Sequence, residues 1–256
     1  MSESKSIRMN LPDYMVIGAQ KAGTTWLWDN MVVHPRIEPA RDVNVPGHMD
    51  YRKEIHFWTD ADRFAKGLSF YQERFADKRD GCLIGDHTPT LYAMPEKKIK
   101  MIAELVPNIP VILILRNPVE RALSCLKMMH SGTHGRPYLD DVSAEKVYEF
   151  LSVFQRYGAY STALALWRKY FNVSVFFYED LKERPYNFLN VIFETIGVEK
   201  VIDWTGFPIE SRPMKSPSFW IKDSYMDFLK NMFRAEIRIL SLEFGDKTRK
   251  WIEEYE

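Results

Sequence analysis

The stretch Gly18-Ala19-Gln20-Lys21-Ala22-Gly23-Thr24-Thr25 constrains this chain more than any other. It follows a short apolar run, Tyr14 to Ile17, and opens TTWLWDNMVV (Thr24–Val33), which reads as a helix closed by His34-Pro35. A buried strand, a glycine-bearing turn and a helix start form an anion site when they come together. Free backbone N–H groups and the positive helix end then converge on one point. Gly18 and Gly23 let the main chain approach an oxyanion, and Thr24 and Thr25 add hydroxyl donors in the first helical turn. The skeleton is that of a phosphate-binding loop with one anomaly. A nucleotide kinase carries Lys directly after the second glycine, whereas here that position is Thr24 and the lysine is Lys21.

The rest of the chain alternates between strand-like and helix-like segments. Cys82–Gly85, Val111–Leu115 (VILIL, bounded by Pro110) and Val173–Tyr178 read as further strands. Helices are expected over Pro95–Val106, Pro118–His130, Ala144–Phe154, Tyr157–Phe171 and Tyr186–Ile196. Asn117-Pro118-Val119-Glu120 supplies a cap, a proline at the first helical position and a glutamate three after the cap. Met226, Leu229, Phe233, Ile237, Leu240 and Phe244 recur at helical spacing and mark a late amphipathic helix. Such alternation implies the α/β class: one P-loop-like domain over residues 1–256, with a central parallel sheet and helices on both faces. Residues 1–12 read as a flexible tail. Arg36–Arg52 and Ser131–Asp141 read as long loops near the substrate site.

Composition excludes some partners. The 35 basic and 35 acidic residues cancel, which argues against bulk nucleic-acid binding. No apolar run approaches the ~20 residues of a membrane span. The start, MSESKSIRMNLPDY, lacks the apolar core of a signal peptide. Cys82 and Cys125 sit in apolar surroundings, as small packing hydrophobes do. A cytoplasmic protein without stable membrane insertion is expected.

The strand VILIL ends in Arg116. A cation at a strand's carboxyl end faces the ligand crevice, where it repels a metal and attracts a second phosphate. Asp86, ending the CLIG run, could instead mimic the carboxylate that holds Mg²⁺ in a kinase. A kinase using ATP and Mg²⁺ therefore remains an alternative, and a non-catalytic nucleotide-binding protein is a third.

GAQKAGTTWL (Gly18–Leu27), KEIHFW (Lys53–Trp58) and LRNPVERALS (Leu115–Ser124) together resemble the sulfotransferases that use 3′-phosphoadenosine 5′-phosphosulfate (PAPS). The KEIHFW segment is similar to the Golgi heparan sulfate branch. Weaker similarity continues through Arg156–Pro185. The resemblance implies PAPS as sulfuryl donor, no metal, and a small-molecule or carbohydrate acceptor. It assigns cofactor binding to Gly18, Gln20, Lys21, Ala22, Gly23, Thr24, Thr25 and Trp26, with Arg116 and Ser124 on the 3′-phosphate. Lys215, in the basic loop SRPMKSPS, or Arg212 would touch the nucleotide. Lys21 would set its ammonium on the oxygen that gains charge as the sulfuryl group leaves, a contribution of about 3–4 kcal/mol. Arg121 is left to pair with neighbouring acids.

A sulfuryl acceptor must lose a proton, so a base is needed. The resembled branch assigns it to Glu54, and His56 would orient it or contact substrate; two apart on an extended segment, they would point the same way. That branch carries E-K-[ST]-P-x-Y after its next strand, whereas this chain reads Asp86-His87-Thr88-Pro89-Thr90-Leu91-Tyr92. His87 replaces the lysine and is the second candidate base, because imidazole titrates near neutrality. The branch's paired C-terminal cysteines are absent, and no wide basic groove is evident in a neutral chain. Both points favour a smaller or less anionic alcohol. Tyr51, Trp58, Tyr92 and Tyr138 could stack on a sugar or lipid chain, with packing as the default role.

Overall fold

A computed structural model describes residues 10–41, 54–76, 78–131, 143–211 and 221–253. Strands β1 (Tyr14–Gly18), β2 (Ile37–Glu38), β3 (Leu83–Asp86), β4 (Val111–Leu115) and β5 (Val173–Phe177) form one parallel sheet in the order β2-β3-β1-β4-β5. Central β1 pairs Met15 with Asp86 on one side and with Val111 on the other. The chain leaves β1 first toward β2 and β3, then crosses to β4 and β5. A parallel sheet wound in both directions from one strand opens a crevice beyond its carboxyl ends. The loops leaving β1, β3 and β4 at that edge carry Gly18–Gly23, Asp86–Thr90 and Arg116–Asn117.

Every residue of β1 and β4 is buried, as a sheet covered on both faces requires. Each fully buried Val, Ile or Leu contributes about 1.5–3 kcal/mol. The covering helices begin with α1 (Thr24–Met31), α2 (Ala61–Ala65), α3 (Leu68–Gln72), α4 (Glu96–Leu105), α5 (Pro118–Ser131) and α6 (Ala144–Ser152). They continue with α7 (Phe154–Gly158), α8 (Tyr160–Arg168), α9 (Tyr178–Glu183), α10 (Pro185–Ile196), α11 (Asp223–Phe244) and α12 (Asp246–Glu253). The expected cap of α5 is present: Asn117 Oδ1 accepts from the Val119 N–H at 3.0 Å. The stripe on α11 buries Leu229, Phe233, Ile237 and Leu240, joined by Tyr225.

Several boundaries differ from expectation. The loop expected over Arg36–Arg52 begins with the edge strand β2, which pairs Ile37 with Leu83 and Glu38 with Ile84; residues 42–52 lie outside the described set. Of the loop expected over Ser131–Asp141, Ser131 ends α5 and the rest lies outside that set. The single helix expected over Tyr157–Phe171 breaks at Ala159, whose ψ of 65° is not helical. The break is fixed from outside: the Glu236 carboxylate on α11 accepts from the Ser161 N–H at 2.7 Å and from its hydroxyl at 2.8 Å. A carboxylate there caps the free N–H end of α8.

Candidate active site

The loop between β1 and α1 is held by its main chain. Ala19 N–H donates to the Ile114 carbonyl on β4 at 2.8 Å, and Ala22 N–H to the Ala19 carbonyl at 3.0 Å. The first helical bond is Leu27 N–H to Gly23 O, so the N–H groups of Thr24, Thr25 and Trp26 precede the helix's own ladder. Gly23 takes φ +85°, and a Cβ there would lie 2.8 Å from Leu181 Cδ1. At Gly18 a Cβ would meet the Tyr92 ring at 2.5 Å and the Pro89 carbonyl at 2.9 Å. The segment after β3 therefore closes directly on the loop's first residue.

Lys21 stands at φ 72°, a left-handed conformation uncommon for a residue with a side chain. Its Nζ lies 3.4 Å from Met128 Sδ on α5, and its carbonyl accepts from Arg116 Nη1 at 3.0 Å. Gln20, Lys21, Gly23 and Thr25 are half-buried, while Ala22, Thr24 and Trp26 are buried. The Trp26 indole N–H donates to the Ile209 carbonyl at 2.9 Å and its ring faces Phe188. Any share of Trp26 in binding a phosphate thus falls to its backbone N–H.

Arg116 follows β4 as expected. Its guanidinium lies 4.6 Å from the centre of the Tyr178 ring and 3.5 Å from the Glu120 carboxylate. Tyr178 also approaches the position of a Cβ on Gly23 at 3.3 Å. One aromatic ring at the start of α9 thus backs both the loop and the strand-end cation. Tyr178 was expected as the last residue of a strand; β5 instead ends at Phe177, and Tyr178 opens α9. Ser124 lies half-buried on α5, about two turns from the helix start. Arg121 corrects its expectation: it is fully buried, with the rings of Phe154 and Tyr157 at 5.8 and 6.0 Å, and none of its three guanidinium nitrogens has a hydrogen-bond partner among the described residues.

Glu54 and His56 do meet, though not by strand alternation. His56 takes φ 53° and starts a turn whose carbonyl accepts from Asp60 N–H at 2.9 Å. The turn folds the imidazole back, so that Nε2 lies 2.9 Å from Glu54 Oε2 while Nδ1 lies 3.1 Å from Thr59 Oγ1. Glu54 is buried and His56 half-buried. Two N–H groups of this segment, on Ile55 and His56, donate to Thr88 Oγ1 at 3.1 and 3.2 Å. Thr88 is adjacent to Pro89, which covers Gly18, so the carboxylate–imidazole pair and the phosphate loop are attached to the same strand end.

His87 is placed differently. It is buried, and its Nε2 lies 2.9 Å from the Tyr14 hydroxyl, which reaches it from β1. Burial raises the Tyr14 phenol well above its usual pKa, which keeps the hydroxyl protonated. Asp86, the kinase-like candidate, is fully buried; its carboxylate accepts from Tyr71 Oη at 2.9 Å and Thr88 Oγ1 at 2.6 Å. Burial pushes its pKa up, and the two hydroxyls oppose that shift. Trp58 and Tyr92 are core residues, Trp58 packed edge-on against Phe57 and Tyr71 and tilted against Phe64. Lys53, Tyr51, Tyr138, Arg212 and Lys215 lie outside the described residues.

Comparisons with known proteins bear on the family and the fold of the chain. The model of the sulfotransferase family matches residues 12–203. The chain is 28% identical over 223 residues to a bifunctional heparan sulfate N-deacetylase/N-sulfotransferase 1 of Caenorhabditis elegans, covering 82% of this chain and 24% of that protein. It is 26% identical over 202 residues to human heparan sulfate glucosamine 3-O-sulfotransferase 6, covering 76% of this chain and 55% of that one. It thus spans between a quarter and about half the length of these relatives. Its fold matches a sulfotransferase from Alicyclobacillus acidocaldarius with a TM-score of 0.69 at 17% identity, covering 94% of this chain and 98% of that one. Mouse sulfotransferase SULT7A1, complexed with PAP, matches with a TM-score of 0.52 at 15% identity, covering 94% of this chain and 88% of that one. Among the described residues, no helix is long and apolar enough to cross a membrane.

Proposed function

The chain belongs to the sulfotransferase family, and from that premise we propose that it moves a sulfuryl group from PAPS to a hydroxyl or amine of a carbohydrate or other small acceptor. The observation that carries this reading is the bond from Arg116 Nη1 to the Lys21 carbonyl. It ties a strand-end cation to a phosphate loop whose lysine sits inside the turn. A kinase would need a free carboxylate at such an edge for Mg²⁺, and the candidate, Asp86, is occupied by two hydroxyls.

The donor set fits a bis-phosphorylated nucleotide: N–H groups of the first turn of α1, two cations, and the hydroxyls of Thr24, Thr25 and Ser124. When bound, PAPS supplies the sulfuryl group. The loop from Gly18 to Trp26 would cradle the 5′-phosphate, and Arg116 with Ser124 would hold the 3′-phosphate. Lys21 would neutralise the bridging oxygen as its bond to sulfur breaks, an interaction that strengthens in the transition state. Glu54 would take the acceptor's proton as the new bond to sulfur forms, with His56 orienting the carboxylate. His87 is the less favoured base, because its Nε2 already faces Tyr14. Lys215 would add a nucleotide contact. The relatives' names point to a sugar acceptor, and a cytosolic setting accords with the two free cysteines.

Adenosine 3′,5′-bisphosphate without metal should raise the melting temperature by more than ATP with Mg²⁺ does, since a ligand specific to the native state stabilises it. Radiolabelled PAPS presented with a panel of sugars and simple alcohols should then yield a labelled acceptor. Stabilisation by ATP alone, only with Mg²⁺, and no labelled product would end the reading.

A further inference from the structure

The Glu54–His56 turn is held by one buried hydroxyl. Thr88 Oγ1 spends its proton on Asp86 Oδ1 at 2.6 Å. Its lone pairs then accept the successive N–H groups of Ile55 and His56 at 3.1 and 3.2 Å. The other Asp86 oxygen accepts from Tyr71 Oη on α3 at 2.9 Å. Thr88, Asp86 and Tyr71 are all fully buried. Asp86 Oδ1 takes the Thr88 proton, so Asp86 dictates which way the Thr88 hydroxyl points and leaves its lone pairs for the two amides. Those amides flank Ile55, the residue between Glu54 and the left-handed His56, and so set where the 2.9 Å carboxylate–imidazole contact forms. The segment has an independent anchor in the bond from Arg63 Nη1 to the Ile55 carbonyl at 2.6 Å. Losing the Thr88 hydroxyl would therefore tilt the turn without detaching it.

We propose that Thr88 and Asp86 are positioning residues for proton removal, aiming Glu54 and His56 at the acceptor while taking no part in donor binding. This rests on the sulfuryl-transfer reading of the same site. It gives the Asp86-His87-Thr88 stretch a role distinct from metal binding and from His87 acting as base. A displacement of about 1 Å in a reacting group can cost on the order of 10²-fold in rate, so a tilted turn acts on kcat.

The test compares Thr88→Val, which keeps the branched shape and removes the hydroxyl, with Thr88→Ser, which keeps the hydroxyl. Thr88→Val should lower kcat by roughly 10- to 100-fold, with KM for PAPS and affinity for adenosine 3′,5′-bisphosphate within about twofold of the parent. Thr88→Ser should recover most of that loss. Amide exchange at Ile55 and His56 should quicken in Thr88→Val alone. If Thr88→Val does not fold, Tyr71→Phe, which removes one donor to Asp86, must reproduce the fall in kcat at constant KM. The role is overturned if kcat is unchanged, if donor affinity falls in parallel, or if Thr88→Ser is as impaired as Thr88→Val. A parent protein that transfers no sulfuryl group refutes the reading of the whole site. A parent rate that Glu54→Gln abolishes and Thr88→Val leaves intact refutes the positioning role alone.

Discussion

The two sides of the crevice are built in different ways. On the β1–β4 side the phosphate loop is held mainly by main-chain bonds, Ala19 N–H on Ile114, Ala22 N–H on Ala19 and Leu27 N–H on Gly23, with one side-chain bond from Arg116 to the Lys21 carbonyl. On the β3 side the Glu54–His56 turn depends on side chains, namely Thr88, Asp86, Tyr71 and Arg63. Main-chain scaffolding survives most substitutions and presents the same N–H groups to any oxyanion. Side-chain scaffolding can be re-aimed by a single replacement, which suits the half of a site that must match a particular acceptor.

The largest expected effect sharpens this contrast on the side-chain half. Glu54→Gln keeps the shape and cannot take a proton, so turnover should fall by about 10²- to 10⁴-fold while adenosine 3′,5′-bisphosphate still binds as in the parent. His87→Ala should do less. A dead His87→Ala beside an active Glu54→Gln would move the base to the imidazole.

Lys21→Ala comes next, on the main-chain half. Its kcat should drop by roughly 10²- to 10³-fold, with product affinity weakened less. A raised KM at unchanged kcat would make Lys21 a binding residue only. Arg116→Ala should remove most of the preference for a 3′-phosphate over its absence, about 10- to 100-fold as expected for a charge-assisted bond. Titration calorimetry with adenosine 5′-phosphate and the 3′,5′-bisphosphate measures it directly, and equal affinity ratios in parent and variant would show Arg116 to be misassigned.

Two smaller effects concern stability. Gly23→Ala puts a Cβ at φ +85° and 2.8 Å from Leu181, which should cost about 1–2 kcal/mol in chemical denaturation. A neutral result would mean that the loop relaxes freely. Asp86 gives a pH signature. Its folded pKa is raised by burial, so its proton is bound more tightly in the folded state than in the unfolded state. The associated stability is complete below the ordinary carboxylate pKa of about 3.9 and declines as pH rises through the raised folded value. The stability advantage of the parent over Asp86→Asn should therefore shrink as pH is raised from about 4. Thermal melts across that range would contradict the burial argument if the advantage grew instead.

The sequence by itself determined the parts that local chemistry dictates. VILIL can only be a buried strand, Asn117-Pro118 starts a helix, and Gly18 through Thr25 makes a glycine-bearing turn from strand to helix; all three elements stand where the pattern put them. The candidate site was legible wherever contiguous residues carry it, as in the loop; Glu54 and His56 were singled out, but a left-handed turn at His56 brings them together where an extended segment was expected. Tertiary structure alone decided what rests on long-range contacts. It split the expected helix at Ala159 through Glu236, 75 residues from Ser161. It turned His87 toward Tyr14, buried Arg121 among rings, and used Asp86 as a hydroxyl anchor. A side chain's role in these places depends on which distant polar group reaches it first, and the one-dimensional pattern does not encode that distance.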